Sequence, residues 1–100
     1  MKKPENKSSV SKPTTYKIVF LDKALKELKK LPSKISESIF HHIDLLATEP
    51  YPHGYKKLKG KENLFRIRHG NYRVVYSILN NELTIEVIRV ANRKDVYRGL

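Results

Sequence analysis

Polar and charged positions follow one another through residues 1–15 with no apolar period, and Val10 is the one branched apolar side chain there. Such a stretch cannot bury enough surface to offset the entropy of ordering, so residues 1–15 are expected to form a disordered basic arm. The pattern changes at Tyr16, where Tyr, Ile, Val and Phe gather in a short run to Phe20, as in a first strand. Asp22 is placed to cap a helix beginning just after it. Ala24, Leu25, Leu28 and Leu31 recur at steps of three and four with lysines between them, which predicts a short amphipathic helix over 23–31.

Pro32 ends that helix, and Ser33 or Pro32 opens a second one with Ile35, Ile39, Ile43 and Leu46 along one face. Two prolines and a glycine between Glu49 and Gly54 stop it, and residues 55–62 are expected to form an irregular lysine-rich loop. The rest reads as sheet. Leu64 to Arg68 alternates apolar and basic, His69-Gly70-Asn71 supplies a turn, and Tyr72 to Leu79 is β-branched and aromatic. Asn80-Asn81 signals a tight hairpin into a last strand, Leu83 to Val90. The order β-α-α-β-β-β predicts an α+β domain over 16–100, its sheet covered on one face by a two-helix hairpin.

Composition narrows the chemistry. The 100 residues carry 21 Lys+Arg against 10 Asp+Glu, a net charge of +11, and no Cys. Disulfide scaffolds, thiolate zinc sites and cysteine nucleophiles are excluded. Among the first thirty residues the longest apolar run, Ile18 to Leu21, is shorter than the ~7–15 residues of a secretory h-region or the ~20 of a membrane span. A soluble, cytoplasmic protein is expected. The positive excess points to a polyanion, namely nucleic acid, an anionic membrane or an acidic protein.

The distribution of that charge says more than its total. All six arginines lie in the second half, which holds eleven basic and four acidic residues. With a side-chain period of two, Phe65 and Ile67 share one face of their strand while Arg66 and Arg68 share the other, about 7 Å apart. If the apolar pair packs on the helices, both guanidinium groups point away from them. Arg73 follows in the next strand, and Arg93 and Tyr97 follow the last one. Such planar, permanently charged forks suit phosphate, which they bind bidentately. Lys56, Lys57, Lys59 and Lys61 border this face and are candidates for RNA-backbone contact. The helix lysines read as an ordinary solvated face.

The four histidines offer no metal site. His41 and His42 are neighbours, about 100° apart on a helix, so they cannot chelate together, and no Asp/Glu-rich partner lies at ligand spacing. His69, beside Arg68, is either a plain turn residue or an acid/base and RNA-contact candidate. Tyr51 and Tyr55 read as anchors of the loop.

The segment Leu64-Phe-Arg-Ile-Arg-His-Gly-Asn-Tyr-Arg-Val-Val-Tyr76, with the later Val-Ile-Arg-Val-Ala-Asn-Arg-Lys-Asp-Val-Tyr97, resembles the RelE branch of the RelE/ParE toxin superfamily. The Lys-Ala-Leu-Lys-Glu-Leu-Lys-Lys-Leu helix and the Lys57–Gly60 loop resemble it too, so the likeness spans 16–97. It implies a four-stranded, antiparallel-rich sheet on two helices. It also implies a toxin neutralised by a cognate antitoxin, whose acidic segment would wrap the basic sheet face and exposed helix groove. RelE-type members cleave mRNA on the ribosome by 2′-hydroxyl attack on the adjacent phosphate, with no metal and no cofactor. The family's two strand lysines fall on Arg66 and Arg68, its hairpin arginine on Arg73, the arginine after its last strand on Arg93, and its terminal tyrosine on Tyr97.

That chemistry suits these residues. In-line attack concentrates negative charge on a pentavalent phosphorane, which preorganised guanidinium groups, Arg73 and Arg93 first among them, stabilise more than the ground state. Tyr97 is a candidate acid or base and a surface for base stacking. Arginine in place of both lysines departs from the family and leaves the base open among Tyr97, His69 and a loop lysine, because a guanidinium effectively never deprotonates. The chain stops three residues past Tyr97, so regulation through the C-terminal helix of some relatives is not expected. The alternatives are a ParE-like toxin that poisons DNA gyrase without nuclease activity, and a catalytically dead relative acting as a DNA-binding co-repressor.

Overall fold

A computed structural model describes residues 15–100. The expected N-terminal arm, apart from Thr15, lies outside the described residues. Strand β1 (Lys17–Phe20) leads to helices α1 (Asp22–Lys29) and α2 (Ser33–Leu45). The two-residue strand β2 (Lys56–Lys57) comes next, then β3 (Leu64–His69), β4 (Tyr72–Leu79) and β5 (Thr84–Asn92). The five strands form one sheet in the order β1-β5-β4-β3-β2, with β1 parallel to β5 and the other pairs antiparallel.

The apolar periods place the core as expected. Ala24 and Leu28 of α1, Ile39 and Ile43 of α2, and Leu46 just beyond it are buried against Phe65, Ile67, Val74, Tyr76, Ile78, Ile85, Val87 and Val90. Both helices thus cover one sheet face, and the α+β class stands. Tyr76 is fully buried, with its hydroxyl donating 2.7 Å to the Pro50 carbonyl, which fastens the loop after α2 to the sheet. Burial, with smaller contributions from Tyr51 and Tyr55, pushes its phenol far above the ordinary value.

Four local expectations are corrected. The helix-capping position before α1 belongs to Leu21, with extended backbone and no side-chain cap bond; Asp22 is the first helical residue, where its charge faces the helix N-terminal dipole. The sheet has five strands rather than four, because Lys56 and Lys57 pair with Arg66 and Phe65. Two adjacent exposed lysines carry no apolar alternation, and what draws them into the sheet is the unpaired backbone edge of β3. Asn80-Asn81 does not make a two-residue turn. A 3₁₀ turn spans Asn80–Glu82 and Leu83 takes a left-handed conformation (φ 48°), so the last strand begins at Thr84. That strand also runs on to Asn92 instead of ending at Val90.

A β-bulge in β5 decides which face its second half presents. Val75 pairs with Arg89 while Tyr76 pairs with Val87, leaving Ile88 as the extra residue. Without it, Arg89 would share the core face with Ile85 and Val87. With it, Val90 takes the core position and Arg89 turns to the opposite face.

Candidate active site

Cross-strand partners share a face, so the register builds the basic surface directly. Lys56 pairs with Arg66, Arg66 with Val75 and Val75 with Arg89; one step along, Arg68 pairs with Arg73 and Arg73 with Ala91. Phe65 and Ile67 are buried in the core, which puts Arg66 and Arg68 on the face away from the helices.

Residues 93–100 fold back over that face. The Arg93 amide donates 2.9 Å to the Asn71 carbonyl, tying the segment to the β3–β4 turn next to Arg73. Bonds from Asp95 and Val96 to the Asn92 carbonyl, and from Arg98 to that of Asp95, wind it into successive turns. Val75 and Val96 are both at 0% accessibility yet outside the main core, as expected where the segment covers the face that Val75 occupies. Tyr97 is left 44% exposed.

Arg73 stands at the centre. Its Nη1 donates to the Tyr72 carbonyl at 2.9 Å and to the Gly70 carbonyl at 3.0 Å, bonds that orient the guanidinium at the mouth of the turn. Its pKa is held below the ordinary arginine value by burial first and then by Arg68 and Arg66, while Tyr97 acts in the opposite sense and Arg93 adds to the lowering. All four neighbours therefore lie within electrostatic reach of Arg73. Five side chains from β3, β4 and the C-terminal segment are brought together: Arg66, Arg68, Arg73, Arg93 and Tyr97.

Two concavities flank them. A polar pocket of about 280 Å³ is lined by His42, His53, Lys56, Arg66, Arg68 and Arg73 among others, where β3 runs on past the end of β2. A more apolar groove of about 270 Å³ lies between Leu58, Lys59, Lys61, Tyr97 and Leu100. Lys56 thus joins the arginines, and Lys59 and Lys61 join Tyr97. Lys57 is exposed but pairs with core-facing Phe65, on the alternate row.

His69 falls elsewhere. It shares the parity of Phe65 and Ile67 and points toward α2, where its Nε2 lies 3.0 Å from Ser38 Oγ and its Nδ1 lies 3.0 Å from His42 Nδ1. It does not join the arginine group. Among the described residues no three His, Asp or Glu side chains gather as a metal-ligand set.

Two features escape a reading of the sequence. His42 lines the arginine pocket, although its adjacency to His41 suggests only a failed chelate. Arg89, unremarkable among six arginines, is 7% exposed and ties the C-terminal segment to α1. Its Nε and Nη2 bond Glu27 Oε2 at 3.0 and 2.7 Å, and its Nη1 reaches the Val96 and Arg98 carbonyls at 3.3 and 2.7 Å. No local pattern distinguishes it from the arginines that line the pocket.

The chain is similar to known proteins over nearly all of its described length. Residues 18–97 match the family described as ParE toxin of type II toxin-antitoxin system, parDE. Putative toxin RelE1 of Methanocaldococcus jannaschii is 32% identical over 80 residues, covering 77% of this chain and 89% of that one. The mRNA interferase toxin RelE of Escherichia coli K12 is 30% identical over 86 residues, covering 82% and 90%. Among solved structures, the RelBE2 toxin-antitoxin complex of Mycobacterium tuberculosis superposes with a TM-score of 0.71 at 31% identity, covering 84% of this chain and 98% of that one. With the sheet, the helical layer and these likenesses in agreement, the chain belongs to the RelE/ParE superfamily of type II toxin-antitoxin toxins, as a RelE-type member.

Proposed function

We propose that this toxin is a metal-independent endoribonuclease that cleaves mRNA on the ribosome and so inhibits translation. The observation that carries the reading is the convergence of Arg66, Arg68, Arg93 and Tyr97 on Arg73. A phosphodiester seated there meets preformed guanidinium charge as the attacking 2′-oxygen drives phosphorus toward the pentavalent state. The guanidinium of Arg73 is held at its turn, so little reorganisation of that group accompanies the charge that develops, and the Arg93 backbone is tied beside it at Asn71.

Tyr97 supplies the proton to the leaving 5′-oxygen, and its half-exposed ring offers a stacking surface beside the groove of Leu58 and Leu100. Lys56, Lys57, Lys59 and Lys61 contact RNA phosphates outside the cleavage point. His69, turned into the helical layer, acts on the site only through His42. The partner is an antitoxin, a reading supported by the toxin-antitoxin complex among the structural relatives; charge complementarity would seat an acidic segment of it on the same arginine face and the exposed helix groove.

Mapping RNA ends after expression tests the reading. Cuts within codons of translated mRNA, retained in EDTA with purified ribosomes, are the expected result. Growth arrest with intact mRNA and accumulating double-strand DNA breaks would instead identify a gyrase poison. Operator binding with neither effect would identify a co-repressor.

A further inference from the structure

Guanidinium groups stay charged at neutral pH, so none of the site's arginines can take the 2′-hydroxyl proton. The pocket between β3 and α2 holds a group that can. His42 lines it beside Arg66, Arg68 and Arg73, and its Nδ1 is already engaged by His69 Nδ1 at 3.0 Å, so the nitrogen left for the pocket is Nε2. His69 Nε2 is in turn 3.0 Å from Ser38 Oγ. The three side chains form a chain that ends in the phosphate pocket.

Two proton arrangements satisfy both bonds. In one, His42 Nδ1–H donates to His69 Nδ1, His69 Nε2–H donates to Ser38 Oγ, and His42 Nε2 carries a lone pair into the pocket. In the other every proton runs the opposite way and His42 presents an N–H to the arginines. The charges that face the ring select between them. Arg66 and Arg68 from β3, Arg73 from β4 and Lys56 from β2 are all positive, and His53 also lines the pocket. A cationic wall favours the lone pair over the N–H dipole.

We propose that His42 is the general base of the cleavage reaction, accepting the 2′-hydroxyl proton at Nε2, with His69 and Ser38 as positioning residues that hold its tautomer. The inference rests on the nuclease reading above and names the group that reading leaves unassigned. The 2′-hydroxyl proton passes to His42 Nε2, the 2′-oxygen bonds to phosphorus, the P–O5′ bond breaks, and O5′ takes the Tyr97 proton. The products are a 2′,3′-cyclic phosphate and a 5′-hydroxyl. His42 then releases its proton to water and Tyr97 recovers one.

The resting protonation state suits the role. Burial, then His69, then His41, hold the His42 imidazole below the usual histidine value of 6.5, so it is neutral at pH 7 and free to accept.

The test is single-turnover cleavage by the full chain on mRNA-programmed ribosomes from pH 5 to 9, with ¹⁵N NMR of the histidine rings. The wild-type rate should rise with pH to a plateau, with a midpoint below 6.5. His42→Gln should lose that midpoint and fall by about 10²–10⁴-fold. His69→Gln should raise the midpoint, a shift that a purely structural role would not produce. The NMR spectrum should show His42 protonated at Nδ1 and bare at Nε2. A wild-type rate and profile in His42→Gln, or a resting Nε2–H tautomer, overturns this proposal while the nuclease reading stands. Absence of wild-type cleavage overturns that reading and this one with it.

Discussion

Glu27 holds Arg89 and the β5 backbone at once. Its Oε2 accepts from Nε and Nη2 of Arg89, and its Oε1 accepts from the Val90 amide at 2.8 Å. That amide lies in the half of β5 beyond the end of β1, where the strand edge has no partner strand. One α1 carboxylate therefore closes an open strand edge and neutralises a buried guanidinium, whose free nitrogen grips the Val96 and Arg98 carbonyls on either side of Tyr97.

Removing one partner leaves the other charge buried without compensation. Arg89→Met is expected to cost about 3–5 kcal/mol in urea unfolding. It should also release residues 96–100, seen as faster amide exchange there than in β3 or β4. Arg89→Lys keeps the charge but loses the fork, so cleavage should fall further than stability does.

Arg73→Ala and Arg93→Ala test the chemistry more directly. Neither side chain is part of the main core, and the Arg73 bonds to the Gly70 and Tyr72 carbonyls are worth about 1 kcal/mol. Each substitution should lower cleavage by about 10²–10³-fold with the fold retained, and each should relieve growth arrest. Full toxicity of the double variant would refute the assignment of these groups to the transition state.

The lysines should act through salt dependence. Replacing Lys59 or Lys61 with alanine should weaken binding to RNA of any sequence. It should also reduce the magnitude of the log affinity against log salt slope by about 1 for each phosphate that the missing ammonium no longer neutralises. An unchanged slope would show those lysines to be merely solvated.

Two pH effects on stability have opposite signs. His42 is depressed in the folded state, so its contribution is complete above the unfolded value of 6.5 and is lost as pH falls through the folded value. Tyr76 is raised, so its contribution is complete below the unfolded value of 10 and declines above it, where the unfolded chain ionises first. Urea midpoints measured across pH should show both slopes. His42→Gln should flatten the acid one. Tyr76→Phe should remove the alkaline one and cost about 1–3 kcal/mol, because the Pro50 carbonyl loses its donor.

Both helices, four of the five strands and the core face were legible because each rests on a local pattern. Ile39, Ile43 and Leu46 at helical spacing, and Phe65 with Ile67 at strand spacing, bury where the pattern puts them. The group of Arg66, Arg68 and Arg73 was legible for the same reason. Alternation along β3 and a short turn into β4 leave little freedom in where those side chains go. Arg93 and Tyr97 were placed by resemblance, since nothing in their spacing shows that the segment folds back.

The amino-acid sequence by itself determined the apolar faces, the helix and strand order, and the concentration of guanidinium charge in the sheet half, because these depend on residues within a few positions of one another. Tertiary structure alone decided the rest. The extra residue Ile88 reverses the parity of β5 and turns Arg89 from the core face to the other side. Glu27, 62 residues away in sequence, then makes that arginine a clamp. His42 meets His69 from an element 27 residues upstream, and the end of β2 leaves the gap at which both histidine and arginines open. Each is a contact between distant segments, and its energy exists only once the sheet and helices have closed on one another.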